Sequence, residues 1–198
     1  TARTVGPLLE QYLGPSLASY LTRSDGLIFL GTLARGLSTD VLNLLLLSTL
    51  AMVVWISSAY SFTVEVGEYF ALLLWATVGM MLLAAAEELA TLFIALETMT
   101  ICLYLATAFE KANPRSPEAG LKYFIYGAVS SALFLYGLSL VYGLTGSTYF
   151  DAIGRVLASG GPGLAGNLVG GAALLLLLVG FGFKVAAVPF HQWAPDVY

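Results

Sequence analysis

The sequence predicts an all-α fold: a polytopic transmembrane helical bundle with about five spanning helices. Three observations predict it. Of 198 residues, 59% are apolar and 10% are charged, whereas a soluble domain carries about 25% charged residues. Five segments approach the roughly 20 mostly apolar residues that cross about 30 Å of hydrocarbon. Most of the charges sit at the ends of those segments or between them. The mean hydropathy of +0.87 agrees. These features exclude a disordered chain, a nucleic-acid binder and an ordinary cytosolic enzyme. The net charge of −4 comes with no basic tract that could track phosphates.

Residues 1–40 form an N-terminal segment of mixed character. Leu27 to Leu33 is apolar but too short to span, and Gly26, Gly31 and Gly36 surround it. It reads as an extended, interfacial or re-entrant piece. Residues 41–198 form the transmembrane bundle. In hydrocarbon each spanning segment must be helical, because its backbone has no water to bond. The first segment is Val41 to Tyr60, and the second is Tyr69 to Ala86, bounded by Glu68 and Glu87. The third, Leu89 to Phe109, has Glu97 as its one charge, and the Glu87-Glu88 link makes it an antiparallel hairpin with the second.

A short polar loop from Glu110 leads to the fourth helix, about 118–144, with Lys122 at its entrance. Ser116-Pro117-Glu118 has the form of a helix start: a capping hydroxyl, a proline whose missing N–H costs nothing, and an acid at the positive dipole end. The linker over 145–167 is Gly-rich, with an amphipathic stretch at Ala152 to Ala158 that suits the membrane surface. The fifth helix runs from Leu168 to about Pro189 or Phe190, with Lys184 inside it. Thr1 is not Met, there is no signal-peptide pattern, and the chain stops at Tyr198 soon after an apolar helix, so it reads as a piece of a longer membrane protein.

Lys111 and Arg115 balance Arg35 and Arg155, so the positive-inside rule does not orient the bundle. Gly127 and Ser131, Ser139 and Gly143, and Gly166 and Gly170 are spaced four apart. Small residues at that spacing let helices approach in lipid, although chance pairs are expected among 21 glycines. The single cysteine, Cys102, excludes an internal disulfide or a Cys-based cluster and reads as a small core residue.

The ionisable residues inside apolar segments carry the functional argument. Glu97 lies about 12 Å into its helix at 1.5 Å per residue. A carboxylate there costs on the order of 3 kcal/mol on insertion scales, so it faces the bundle interior, is protonated or is paired. Lys184 is buried in the same sense. Desolvation disfavours its charge and a nearby carboxylate would favour it, which is the balance a proton relay needs. The plain alternative is a Glu–Lys bridge that only pins two helices. Lys122, one turn inside its segment, reads first as a lysine snorkelling to headgroups, and second as a proton carrier.

Pro189 removes an N–H and frees the carbonyl of Val185, so the fifth helix should kink, break or simply end there. His191 is suited either to proton relay near neutral pH or to an interfacial role beside Trp193. With one histidine, the chain can build neither a multi-histidine metal site nor a bis-histidine haem, and it has no phosphate loop or nucleotide fingerprint. Redox chemistry would take place elsewhere.

The run from Phe183-Lys184 through Pro189-Phe190-His191, Trp193 and Pro195-Asp196-Val197-Tyr198 resembles the signature of the antiporter-like membrane subunits of respiratory complex I, NADH:quinone oxidoreductase. Leu89 to Glu97 is similar to that family's glutamate-bearing helix. Glu118 to Phe124, Gly127 to Ser131 and Leu135 to Gly137 are similar to its next helix, and Tyr142 to Thr148 to the following turn. The Ala194 to Tyr198 ending resembles the N-type (subunit 2) branch rather than the L or M types.

The resemblance covers about residues 41–198 and implies a 14-helix antiporter-like fold of two inverted five-helix repeats, each with a broken helix. This chain would hold most of the first repeat. It further implies that Glu97 partners Lys184 on the broken helix and that Lys122 is an additional lysine near them. The Lys111/Arg115 loop would then lie on the cytoplasm-like side. The implied function is proton translocation coupled to quinone reduction, through Glu97, Lys184, Lys122 and His191, with no catalytic or metal site in this chain. NADH, FMN, iron–sulfur clusters and quinone are expected elsewhere in the complex. Other membrane subunits (M-type and small ones) and the lipid bilayer are the expected partners, and a bacterial inner membrane the expected location, ahead of an organellar inner or thylakoid membrane. The alternatives are a cation/proton antiporter subunit of the same superfamily and a non-pumping scaffold of the membrane arm.

Overall fold

The computed structural model describes residues 26–28, 31–59, 65–159 and 167–197. Of the sequence readings, residues 1–25, Phe29, Leu30, Tyr60, residues 160–166 of the linker and Tyr198 lie outside the described residues. The elements are β1 (Gly26–Ile28), β2 (Leu33–Arg35), α1 (Leu37–Ser58), α2 (Val66–Ala85), α3 (Leu89–Thr107), α4 (Arg115–Thr145), α5 (Phe150–Ala158), α6 (Leu168–Lys184) and α7 (Ala194–Val197). The helices α1 to α4 are long and apolar enough to cross a membrane.

Several boundaries move, each for a local reason. The first helix begins at Leu37, ahead of Val41, which puts Asp40 in its first turn, where the positive end of the dipole favours an acid. The second begins at Val66, with Glu68 similarly placed. Ser116 does not cap the fourth helix. Pro114 holds the cap position, and the Ser116 hydroxyl donates to the carbonyl of Thr107 (2.7 Å) and accepts from the Glu110 N–H (3.2 Å). It thereby ties the end of α3 to the start of α4.

The stretch from Leu27 to Leu33 contributes to an antiparallel hairpin, β1 to β2, pairing Gly26 with Arg35, Leu27 with Ala34 and Ile28 with Leu33. Gly31 turns it at φ 86°, a left-handed conformation that glycine adopts without a Cβ clash. The hairpin docks on the α2–α3 link. Glu87 N–H donates to the Thr32 carbonyl (2.9 Å), and Leu33 bridges Ala86. On its other side the link meets the turn after α4: Leu89 N–H donates to Thr148 O (2.9 Å) and Phe150 N–H to Glu87 O (3.1 Å). The Glu88 carboxylate accepts from the Thr91 and Thr148 hydroxyls (2.9 and 3.1 Å). The backbone polar groups of this turn are thus paired with one another, as a low-dielectric setting requires.

The fifth segment departs most from expectation. It is helical only from Leu168 to Lys184. Its 17 residues make about 25 Å, short of the roughly 30 Å span, so among the described residues four helices are long enough to cross on their own and α6 is a shorter apolar helix. The helix ends ahead of Pro189, so proline is not what stops it. Ala187 N–H donates to Gly182 O (2.8 Å) and Ala186 N–H to Phe183 O (3.1 Å), with Ala186 at φ 51°. This is a Schellman end, with alanine where glycine usually sits. The chain then turns through 185–193, passing Pro189, before α7.

Two buried groups hold the bundle. Leu89 and Leu96 of α3, Phe134, Leu138 and Val141 of α4, Ile153 of α5 and Ala173 of α6 form one. Tyr104, Tyr123, Phe183 and Trp193 form the other, nearer the Lys111 end. Among the described residues the Ser139/Gly143 pair meets no neighbouring helix: Ser139 is exposed and a Cβ on Gly143 would meet nothing within 4 Å. Gly79 does the close packing instead, its Cβ position lying 2.7 Å from Met99 N and 3.1 Å from Ala95 O of α3.

Candidate functional site

Because α6 stops early, its last residue lies inside the bundle rather than at a membrane face. Lys184 Nζ is 3.5 Å from Glu97 Oε1. The side chains are 9% and 23% exposed, respectively. Lys184 also donates to the Thr100 hydroxyl (3.2 Å) and to the Ser131 hydroxyl (3.5 Å). Ser131 in turn donates to Glu97 Oε1 at 2.6 Å. Three helices therefore close one polar cluster: Glu97 and Thr100 from α3, Ser131 from α4 and Lys184 from α6. The negative end of the α6 dipole adds to the field that holds the ammonium. Ser130, next to Ser131, donates to Gly180 O (3.4 Å) and seats α6 against α4.

Glu97 and Lys184 are brought together, as the resemblance implies. Lys122 is not part of the cluster. It is 43% exposed and pairs with Glu118 (2.9 Å) and Asp196 (3.1 Å), nine residues and about 13 Å along α4 from Ser131. His191 is exposed in the turn before α7, where its carbonyl accepts from Ala194 N–H (3.0 Å). Pro189 lies in that same turn. Among the described residues no three His, Cys, Asp or Glu side chains gather to hold a metal.

Sequence reasoning did not single out Thr100, Ser131 or Asp196 as polar partners. Thr100 had a usable signal, being three residues after Glu97 on the same helix face. Ser131 reads in sequence as a packing partner of Gly127, and its position opposite Glu97 depends on the rotation of α4.

Residues 86–198 match the family described as NADH:quinone oxidoreductase/Mrp antiporter, TM. The chain belongs to that family. It is a multi-pass membrane protein of the antiporter-like kind. It is 52% identical over 132 residues to NADH-quinone oxidoreductase subunit N of Moorella thermoacetica, covering 67% of this chain and 27% of that protein. It is 46% identical over 173 residues to NAD(P)H-quinone oxidoreductase subunit 2 of a Synechococcus strain, covering 86% of this chain and 32% of that one. The chain thus spans about a quarter to a third of the curated relatives it matches. Its fold resembles a chain in the structure of respiratory complex I from Thermus thermophilus with bound aureothin. There the TM-score is 0.70 at 34% identity, over all of this chain and 45% of that one. A chain of an archaeal membrane-bound sulfane sulfur reductase complex gives 0.75 at 22% identity, a likeness of fold.

Proposed function

We propose that this chain is part of an N-type, proton-translocating membrane subunit of NADH:quinone oxidoreductase, with Glu97 and Lys184 as its relay. The observation that carries the proposal is the buried ion pair at the interrupted end of α6, stitched by two hydroxyls. An unpaired charge so placed is costly, so the protonation of Lys184 follows the position of Glu97. At 3.5 Å and an effective dielectric near 20, the pair attracts by about 5 kcal/mol. One charge crossing 100 mV costs about 2.3 kcal/mol, so the work put in to separate the pair matches what moves a proton against about 200 mV. Drawing Glu97 away favours the neutral amine, and the proton leaves. Returning it favours reloading. Ser131 and Thr100 are positioned to hold the ammonium between those states.

The redox steps belong to other subunits, which bind NADH, FMN, iron–sulfur clusters and quinone. Neighbouring antiporter-like and small membrane subunits would transmit the change that moves Glu97. A bacterial inner membrane fits the organisms of the similar proteins. The test uses Glu97→Gln and Lys184→Ala in the full-length protein within the assembled complex. Assembly is retained and proton pumping falls. Wild-type pumping by both assembled variants would leave a scaffold role. The family also includes antiporters, and copurification with flavin and iron–sulfur subunits separates the two readings: their absence would favour an antiporter subunit.

A further inference from the structure

Between the Glu97–Lys184 cluster and the Lys122–Glu118–Asp196 cluster lies an aromatic layer. Tyr123 stacks flat on Trp193 (centroids 4.3 Å apart, planes 4° apart), Phe183 tilts against Trp193 (5.1 Å), and Tyr104 meets Tyr123 edge-on (4.5 Å). Along α4 the buried face reads Tyr123, Gly127, Ser131 at four-residue intervals, which places them one above another. The layer therefore sits one turn beyond Gly127, and the ion-pair cluster one turn the other way.

Tyr104 spans the boundary. Its residue is 5% exposed, and its hydroxyl is buried facing the Thr100 hydroxyl, with no well-formed hydrogen bond among the described residues. It is one turn along α3 from Thr100, which holds Lys184. A Cβ on Gly127 would collide with the Tyr104 hydroxyl, so glycine at 127 leaves the phenol oxygen its place against the α4 backbone. A buried hydroxyl without a partner is costly and rare in native structures. A phenylalanine would pack the same ring without that cost, so the oxygen calls for a use.

We infer that the Tyr104 hydroxyl gates proton passage through the aromatic layer, between the Glu97–Lys184 pair and the Lys122 end of the bundle. The inference rests on the proton-translocation reading above. In the arrangement described, the hydroxyl faces Thr100 without a well-formed hydrogen bond, and the path is closed. A small swing of the ring brings the oxygen to the Thr100 hydroxyl. The phenol oxygen then accepts a proton from water beside the Glu118 and Asp196 carboxylates, and its own O–H proton passes through Thr100 to the Lys184 amine. Lys184 ends as the ammonium, while Thr100 and Tyr104 end neutral as they began. The only bonds made and broken are N–H and O–H bonds. Gating residues of this kind need a hydroxyl and a ring together: the ring excludes water and the hydroxyl carries the proton.

The test measures protons translocated per electron in membrane vesicles holding the assembled complex. Tyr104→Phe keeps the ring and removes the oxygen. Removing a positioned proton-transfer group slows the transfer by about 10²-fold or more, so the ratio is expected to fall to that of Lys184→Ala. Gly127→Ala, which displaces the hydroxyl without removing it, should do the same. A wild-type ratio for Tyr104→Phe beside a lowered ratio for Lys184→Ala would overturn the gate and leave the relay intact. A wild-type ratio for Lys184→Ala would instead refute the relay itself. If Tyr104→Phe does not assemble, 3-fluorotyrosine at position 104 keeps both ring and hydroxyl and changes only the acidity. A shifted dependence of pumping on pH supports the gate, and an unshifted one overturns it.

Discussion

Breaking the Glu97–Lys184 pair from either side should destabilise the bundle, and neutralising both sides together should largely restore it. The perturbations are Glu97→Gln, which keeps an acceptor for the Ser131 hydroxyl, and Lys184→Met, which keeps most of the lysine volume. The charges are 3.5 Å apart, and both side chains are less than a quarter exposed. Their attraction is about 5 kcal/mol at an effective dielectric near 20, offset by the desolvation of both ions. A single substitution removes the attraction and leaves the desolvation, so each should cost about 3–5 kcal/mol. The double variant removes both terms. The resulting coupling energy should be about 2–3 kcal/mol or more, favouring the double variant. The assay is equilibrium unfolding of the full-length protein and its three variants in lipid bicelles, as a double-mutant cycle. Losses that simply add, to within about 0.5 kcal/mol, would mean that the two charges do not sense each other, and the relay argument would lose its basis.

Three further outcomes follow from local geometry. Ala186→Gly should stabilise the protein by about 1–2 kcal/mol, because alanine is strained at φ 51°; a lower melting temperature would refute the left-handed helix end. Gly79→Ala should destabilise by about 1–3 kcal/mol, since its Cβ meets the backbone of Met99, whereas Gly143→Ala should be neutral or stabilising by up to about 1 kcal/mol; equal effects in thermal unfolding would contradict the α2–α3 packing. Lys122→Met should change stability by no more than about 1 kcal/mol, because its two ion pairs are largely exposed; a loss of several kcal/mol would place Lys122 in a buried network.

The spanning helices were legible because their signal is local and redundant. The α1 to α4 segments repeat apolar residues over about 20 positions, and hydrocarbon leaves such a chain no alternative to helix. The helix ends were less legible, because they depend on backbone partners from elsewhere. Ser116 has the right residue type and spacing for a cap, yet its hydroxyl bonds to the end of α3. The end of α6 is a further case. Pro189 is a strong local signal for a break, but the helix stops earlier, where a Schellman turn closes on Gly182 and Phe183. The hairpin over 26–35 is held in part by Glu87, more than fifty residues away along the chain.

The same division holds for the candidate site. Sequence by itself determined that Glu97 and Lys184 are charges within apolar segments, because burial in hydrocarbon makes such residues rare enough to stand out. It also determined the family, through the run from Phe183 to Tyr198. Tertiary structure alone decided which groups meet. It set Ser131 between the two charges and Thr100 against Lys184, kept Lys122 with Asp196 at the bundle end, and put the Tyr104 hydroxyl against Gly127. The physical reason is that hydrophobicity acts on each segment independently of its neighbours, while a hydrogen bond or ion pair needs two side chains placed to within a few tenths of an ångström. That placement depends on helix rotation, on the early end of α6 and on the packing of glycines against neighbouring backbones.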